Sequence, residues 1–285
     1  MQTSLDELTK DVSGLVTLPD VFVRINRLLE DPDSNISDLA KTVSQDPSFT
    51  VRLLRIANSA FYGLSSTVDT VNKAVSIIGT GQIRNLALAT SVAHSFAGLP
   101  NTLVSMEHFW RHSLYCALLA RLLAQRTGGC DADAVFTAAL LHDIGELVIF
   151  NRLPEQAKEA LLMVLDSADE LPVHIAEQQV MGFDHSHVGA KLAQQWQLPP
   201  MLCECIAHHH DVGAARHFPR EVALVHIANI LALMAEVHTT DLADVPAIDP
   251  HAWTVSGLTA ETVVPATLEE VQQEIDDVEH LFFGG

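Results

Sequence analysis

The stretch Val135-Phe-Thr-Ala-Ala-Leu-Leu-His-Asp-Ile-Gly-Glu146 carries the helical pattern of this chain together with an unusual polar pair. Its apolar residues recur at the spacing of one helix face, and Asp131 or Asp133 can cap the start of that helix. His142 and Asp143 fall inside the apolar run, where a carboxylate is costly to bury unless it is paired. On a regular helix the two side chains would point about 100° apart. A metal ion held between several helices would offset the cost of burying them.

The same helical spacing runs through nearly the whole chain, and no segment shows the alternation typical of a β-strand. The sequence therefore predicts an all-α protein. We expect helices over the approximate residue ranges 19–29, 36–43, 48–61, 68–78, 82–96, 106–125, 135–144, 154–166, 171–180, 187–196, 199–208 and 219–237, with one acidic helix at 268–283. Residues 100–105 give the best internal boundary. We therefore expect an N-terminal helical subdomain at 1–104, a helical core at 105–238 and an acidic tail or cap at 239–285.

Composition and charge exclude several classes of protein. The chain has 285 residues, of which 48% are hydrophobic, and a net charge of −20 at pH 7. A surface this acidic repels phosphate backbones and anionic lipid, so broad nucleic-acid binding is not expected. The chain has no apolar run long enough to span a membrane and no secretory signal, which predicts a cytoplasmic protein. The four cysteines form no CxxC pair and are expected to be reduced thiols.

Histidine is the residue type that points to chemistry, because the chain contains 15 of them. Some can complete a site around the His142–Asp143 pair: His112, His185 and His209 or His210. Imidazole and carboxylate ligands suit iron, manganese, zinc or nickel better than calcium. A buried histidine is more often a hydrogen-bonded core residue, and on the residues alone the two interpretations are equally supported. His108, one helical turn before His112, is expected at the exposed start of its helix.

Other motifs give no second chemistry. Gly79-Thr-Gly81 lacks the third glycine of a dinucleotide-binding fingerprint and follows a helix, so a turn between helices is expected. The chain has no Gly-x-Ser-x-Gly elbow, and no cysteine has an evident base partner, which leaves nucleophilic acyl chemistry unsupported. The paired short helices near residues 46–59 would suit a helix-turn-helix DNA reader, but the charge of the chain argues against it.

Taken together, these residues resemble the HDOD family, the output-domain relatives of HD phosphohydrolases. The resemblance covers residues 15 to 235. The segments that carry it are Leu18-Pro19, Ile36-Ser-Asp-Leu-Ala40, Gln45-Asp-Pro47, Leu53-Leu-Arg-Ile-Ala-Asn-Ser-Ala-Phe-Tyr62, Ala74-Val-Ser-Ile-Ile-Gly79, Phe109-Trp-Arg-His-Ser113, Leu141-His-Asp-Ile-Gly145, Gly182-Phe-Asp-His-Ser-His-Val-Gly189, Trp196-Gln-Leu-Pro199 and His209-His210.

The resemblance implies an HD-like helical core packed against an N-terminal helical subdomain, in a bacterial signal-transduction module. In HD enzymes the motif residues bind one or two divalent metal ions that activate water for attack on a phosphate ester. The ligands implied here are His112, His142, Asp143, His185 and His209. His210 is implied as a further ligand or as a hydrogen-bond partner of a ligand.

Three departures from active relatives stand out. Active HD enzymes close the site with a later aspartate, where this chain has Asn229, and His226 lies one turn earlier. The cyclic-di-GMP phosphodiesterases of this group carry lysine after His-Asp-Ile-Gly, whereas this chain has Glu146, which would repel a phosphate unless it serves the metal. Their Gly-Tyr-Pro loop is also missing after His210.

The leading hypothesis is a signalling module that acts by contact with other signalling proteins and retains a His/Asp metal site for stability or sensing. Its alternative is a metal-dependent phosphohydrolase acting on a nucleotide or cyclic dinucleotide, with Asp143 essential for activity. A third hypothesis is a scaffold in which the histidines are core residues. The sequence leaves the oligomeric state open.

Overall fold

The computed structural model describes residues 4–12, 20–58, 67–96, 103–167 and 171–283. Every regular element in these ranges is helical, which confirms the predicted all-α class. The predicted helix start at Leu18-Pro19, the segment Ser59–Tyr62 and the first half of the proposed boundary at residues 100–105 lie outside the described residues. Within the described part, no helix is both long and apolar enough to cross a bilayer.

The helices follow one another with short connections. In chain order they are α1 (Leu5–Val12), α2 (Asp20–Glu30), α3 (Ile36–Ser44), α4 (Pro47–Ala57), α5 (Val71–Ile78), α6 (Thr80–Phe96), α7 (Met106–Thr127), α8 (Ala132–Leu140), α9 (Ile144–Arg152), α10 (Pro154–Asp166), α11 (Val173–Met181), α12 (His185–Gln195), α13 (Pro200–His208), α14 (Pro219–Glu236), α15 (Pro250–Ser256) and α16 (Ala260–Phe283). Short 3-10 turns lie at Val212–Ala214 and Leu242–Asp244.

The chain divides into two compact units. The larger unit combines Met1–Val16 with Leu99–Val271, and the smaller combines Thr17–Gly98 with Gln272–Gly285. The larger unit therefore contains α1, α7 to α15 and the start of α16. The division of the sequence into parts ending at residues 104 and 238 stays a prediction.

Helices α7 and α14 form the centre of the larger unit, and α7 also packs against α8. Both are apolar around most of their circumference, a pattern typical of a helix buried on all sides. Leu118 of α7 and Leu231 of α14 are almost fully inaccessible to solvent. Ser105 caps α7 by accepting from the backbone N–H of His108, and Gly128 ends it with a φ of 66°. His108 is exposed at this helix start, as expected.

The smaller unit is built around contacts of α2 with α3 and α6, and of α3 with α5. Asn35 and Asp38 form a capping box at the start of α3. Gly79, with a φ of 93°, is the single residue between α5 and α6. The break between helices lies where it was predicted, but Thr80 and Gly81 already belong to α6.

The structure corrects the predicted helix over residues 135–144. Helix α8 ends at Leu140 and α9 begins at Ile144, so His142 and Asp143 lie in the turn between them. The expectation that these side chains diverge as on a regular helix was wrong, because the chain changes direction there and both face the interior. Helices α1 and α15 were not predicted. Helix α16 starts at Ala260, before the predicted residue 268, and α12 starts at His185 instead of residue 187.

Candidate metal centre

Four imidazoles, most of them from well-separated parts of the sequence, meet around the carboxylate of Asp143. Its oxygens lie 2.9 Å from Nε2 of His142 and 3.8 Å from Nε2 of His112. They lie 3.4 Å from Nε2 of His185 and 3.3 Å from Nε2 of His209. Helix α7, the α8–α9 turn, the start of α12 and the end of α13 supply these residues. The structure thus brings the whole predicted ligand set together, and its role in metal binding stays a prediction.

Two glycines allow the helices around the centre to approach closely. A Cβ atom on Gly145 of α9 would lie 1.9 Å from the carbonyl oxygen of His185 and 2.7 Å from the nitrogen of Gly189. A Cβ atom on Gly189 of α12 would lie 2.8 Å from Cγ2 of Ile206 in α13. Any larger residue at position 145 would therefore push the Asp143 turn away from His185.

The geometry leaves polar atoms at the centre without partners. Among the residues that the structure describes, Nε2 of His142 and Oδ1 of Asp143 are buried and accept or donate no hydrogen bond. Nε2 of His142 makes no hydrogen bond although Oδ2 of Asp143 lies 2.9 Å away. A buried polar atom left in this way costs about 1–3 kcal/mol. A cation bound by both atoms would remove that cost, so the residues present fit a metal ion.

Backbone contacts fix which ring nitrogens face Asp143. Nδ1 of His142 lies 2.6 Å from the carbonyl oxygen of Ala139, and Nδ1 of His209 lies 2.9 Å from that of Ile206. A carbonyl oxygen only accepts, so each Nδ1 carries a proton. Burial lowers the pKa of His209 to about 4, which keeps its ring neutral at physiological pH. The lone pair on Nε2 therefore points at the carboxylate, an arrangement that a cation between them would stabilise.

His112 is held by two side chains of α14. Its Nδ1 lies 3.1 Å from Oε1 of Glu236, and its Nε2 lies 3.0 Å from Oδ1 of Asn229. Burial alone would lower the pKa of His112, but Glu236, with help from Asp143, raises it to about 9. The imidazole is thus protonated at neutral pH when no cation is bound. Coordination through Nε2 requires the loss of that proton, so metal affinity should fall with decreasing pH.

His185 is oriented by a buried carboxylate of α11. Its Nδ1 lies 2.6 Å from Oε2 of Glu177, which also accepts the backbone N–H of His185 at 2.9 Å. Burial favours the neutral ring, but Glu177 raises the pKa of His185 well above its usual value. Nε2 of His185 lies 2.9 Å from Nε2 of His210, whose ring stacks on His174 with centroids 4.0 Å apart. A carboxylate paired with a histidine is the arrangement that commonly orients a metal ligand.

Two other predicted residues lie at the edge of the centre. Oε1 of Glu146 is 4.0 Å from Nδ1 of His185. Burial, together with the charge of Asp143, raises the pKa of Glu146 to about 8. His226 turns both ring nitrogens to backbone atoms, donating from Nδ1 to the carbonyl of His209 at 2.8 Å and accepting the Asp249 N–H on Nε2 at 3.0 Å. His226 is thus placed as a partner of the His209 backbone and not as a ligand.

Comparison with known proteins identifies the family. The HDOD domain matches residues 15–212 of the chain, well over half of its length. The chain belongs to the HDOD family. An HDOD domain protein of unknown function from Geobacter sulfurreducens shares its fold, with 26% identity, a TM-score of 0.76 and 98% of each chain covered.

Two further relatives place this HDOD chain in a wider context. A crystal structure from Marinobacter aquaeolei VT8, described as a candidate signal transduction protein, has 21% identity and a TM-score of 0.73. The match covers 96% of this chain and 61% of that one. An uncharacterized protein from Treponema pallidum (strain Nichols) is 27% identical over 227 residues, which is 78% of this chain. The HDOD chain spans 42% of the length of that curated relative.

The described part of this HDOD chain offers several overlapping groups of metal-binding side chains. In each group the ligand atoms lie within 4.8 Å of one another. The groups are Asp143 with His185, His209 and His210; Asp143 with His112 and His142; and His185 with Glu146 and Glu177. Because Asp143 belongs to two groups, one carboxylate can serve one ion or bridge two.

Sequence reasoning missed three residues at this HDOD centre. Glu236 lies seven residues after Asn229, on the same face of α14, so helical periodicity could have found it once Asn229 was chosen. Glu177 is buried and His174 stacks on a neighbouring ring, but neither has a spacing signal in the sequence. Contacts between separate helices bring them to the centre, and one sequence does not record those contacts.

Proposed function

We propose that this HDOD chain is a signalling module that acts by contact with other signalling proteins and holds a divalent transition metal in its His/Asp centre. The metal stabilises the module or lets it sense metal supply. The relative from Marinobacter aquaeolei, described as a candidate signal transduction protein, supports the signalling part. Iron, manganese, zinc and nickel are the ions that this ligand chemistry favours.

One observation carries the metal part of the proposal. The Nε2 atom of His142 and the Oδ1 atom of Asp143 are buried, and neither makes a hydrogen bond. A histidine core built only for stability would pair these atoms, because buried polar atoms are nearly always hydrogen-bonded. The scaffold hypothesis gives no reason for this arrangement.

The closure of the centre favours a role in stability or sensing over catalysis. The side chain of His142 is fully inaccessible to solvent, His185 is 2% exposed and Asp143 is 8% exposed. A phosphate ester would have to reach these groups past Glu146 and Glu236, which are both carboxyl side chains at the rim. Asn229, where active relatives carry aspartate, further weakens the ligand set.

Metal analysis of protein purified without a His-tag tests this proposal at neutral pH. We expect about one equivalent of a transition metal, and its loss in His142→Ala. The matched control is His217→Ala, which changes an exposed histidine of the same unit. Less than about a tenth of an equivalent in the unaltered protein, purified without chelators, would overturn the metal proposal and favour the scaffold.

A second candidate is a metal-dependent phosphohydrolase acting on a nucleotide or cyclic dinucleotide. The observation that favours it is the shared position of Asp143 in two ligand groups, which is typical of two-ion hydrolytic sites. Bound ions would supply Lewis acidity there. The chain's own contribution would be to orient His185 through Glu177 and His112 through Glu236.

Turnover assays with manganese or iron distinguish the two candidates. A hydrolase should cleave a nucleotide or cyclic dinucleotide, and Asp143→Ala should lower the rate by orders of magnitude. The signalling proposal expects no turnover above that of Asp143→Ala on any such substrate. A clear difference between the two proteins would favour the enzyme.

A further inference from the structure

His226 occupies a position that the proposed metal centre does not itself explain. It lies in the middle of α14, is 8% exposed, and satisfies both ring nitrogens with backbone groups. A carbonyl accepts and an N–H donates, so Nδ1 carries the proton and Nε2 accepts. One neutral imidazole therefore bridges the backbone of His209 and the backbone of Asp249.

The His209 end of this bridge leads directly to the centre. His209 is the C-cap residue of α13, and its ring is held by the carbonyl of Ile206 so that Nε2 lies 3.3 Å from Asp143. Both the ring and the carbonyl of His209 are thus fixed. Loss of the contact from His226 would free the carbonyl, and with it the last turn of α13.

The Asp249 end leads to a helix that lies beyond the family match. Asp249 is the N-cap of α15, and its Oδ1 accepts the backbone N–H of His251 at 2.7 Å. Helix α15 packs against α14 and against the 3-10 turn at Val212–Ala214, which follows His209 closely in the chain. The HDOD match ends at residue 212, so α15 belongs to the part of the chain that this match leaves unaccounted for.

We propose that His226 is a positioning residue that couples occupancy of the His/Asp centre to the order of α15. This inference rests on the proposed metal binding. A cation bound by Nε2 of His209 further restrains the carbonyl that His226 binds, and this strengthens the ring orientation that accepts the Asp249 N–H. By linkage, a partner that stabilises the start of α15 strengthens metal binding by the same factor. Helix α15 is then the element by which a partner protein would detect whether the His/Asp centre holds a metal ion.

Two amide variants separate the ends of the bridge. In His226→Asn the amide nitrogen takes the place of Nδ1 and keeps the donor to His209, whereas the acceptor for Asp249 is lost. In His226→Gln the amide oxygen reaches the place of Nε2 and keeps the acceptor for Asp249, whereas the donor to His209 is lost. His217→Ala serves again as the exposed control, and circular dichroism checks that each variant folds.

The experiment measures zinc affinity and amide hydrogen exchange on the full chain, with and without Zn²⁺. In the unaltered protein Zn²⁺ should slow exchange in Asp249–Ser256. His226→Gln should lower zinc affinity by about tenfold, as loss of a group that positions a ligand commonly does. His226→Asn should bind zinc within about threefold of the unaltered protein but lose the response of Asp249–Ser256.

The possible results distinguish a failure of the coupling through His226 from a failure of metal binding itself. Failure of the unaltered protein to bind zinc, or any other transition metal, would overturn both. Zinc binding without a change in Asp249–Ser256, or an unchanged response in His226→Asn, would overturn the coupling and leave the metal centre standing. Equal zinc affinity in His226→Gln and the unaltered protein would also contradict the positioning role.

Discussion

Asp143 is the residue on which the chemistry of this chain depends, because four imidazoles are arranged around one carboxylate. This carboxylate lies in a closed interior. An anion with an unpaired oxygen is poorly stabilised without a cation and well stabilised with one.

Replacing this carboxylate should have opposite consequences in the two states of the protein. In Asp143→Asn the amide can donate to the bare Nε2 of His142, so the chelator-treated variant should be at least as stable as the chelator-treated parent. With Zn²⁺ the parent should gain stability that the variant lacks. Urea unfolding with chelator and with Zn²⁺ measures both differences.

Asp184 provides the matched control for that substitution. It is also buried, but its carboxylate accepts hydrogen bonds from Gln178 and Ser186, both at 2.6 Å. Asp184→Asn should therefore lose about 1–3 kcal/mol with or without metal. If Asp143→Asn behaved like Asp184→Asn in the presence of chelator, Asp143 would be an ordinary structural carboxylate.

At the scale of helices, the approach of α9 to α12 determines whether the centre can form. A Cβ atom at position 145 would overlap the carbonyl oxygen of His185. That oxygen is a backbone atom, so a change of side-chain rotamer cannot relieve the overlap. Gly145→Ala should lower the free energy of unfolding by about 3 kcal/mol and weaken zinc binding. Denaturant unfolding and zinc titration measure these effects.

Gly81 offers the contrasting alanine substitution. It lies in the first turn of α6, and a Cβ atom there would meet nothing within 4 Å. Alanine is favoured over glycine in helices by up to about 1 kcal/mol, so Gly81→Ala should leave stability unchanged or slightly higher. Equal losses in both variants would show that close approach is not the reason for glycine at position 145.

The segment that leads into α14 depends on one carboxylate of α13. Glu204 accepts backbone N–H groups from Arg216, His217 and Phe218, the last at 2.9 Å. Burial alone would raise the pKa of Glu204, but these backbone donors together lower it. The pKa of Glu204 is lower in the folded protein than in the unfolded chain. Its carboxylate therefore adds its full share to the free energy of unfolding above the unfolded-state pKa, and this share is lost as pH falls through the folded-state pKa.

Glu204→Gln should therefore destabilise the protein at neutral pH and matter less in acid. The side chain is partly exposed, so solvent screening limits the effect to below about 1 kcal/mol. Urea unfolding of the variant and its parent at about pH 7 and about pH 3 gives the comparison. Glu155→Gln, at an exposed position of α10, is the control. A stability difference that grew as pH fell would contradict this role.

Helical periodicity predicted most elements, and it failed where contacts between helices decide the backbone. The apolar residues through Leu140 and Ile144 predict one continuous helix, because their helical spacing continues across the turn at His142 and Asp143. The convergence of the candidate ligands followed from the resemblance to a family, whereas Glu177 and Glu236 required coordinates. Helix α15 was not predicted, because its seven residues, which start at a proline, are too few to show a helical spacing of apolar residues.

The whole molecule carries a charge that sets which partners it can meet. With 16 basic and 36 acidic residues, its net charge is −20 and its pI is about 4.9. Long-range repulsion acts on every polyanion that approaches, whatever the local arrangement of basic groups. A protein partner of this HDOD chain should therefore present a neutral or basic surface to it.

Duplex DNA is the sharpest test of that argument, because its phosphates supply almost all of non-specific protein binding. At about 0.1 M salt, fluorescence anisotropy with a labelled duplex should show a Kd weaker than about 10⁻⁴ M. Lowering the salt strengthens the binding of basic proteins but should not strengthen binding here, because the repulsion then becomes less screened. A Kd in the micromolar range that tightened at low salt would reveal a local basic surface strong enough to outweigh the net charge.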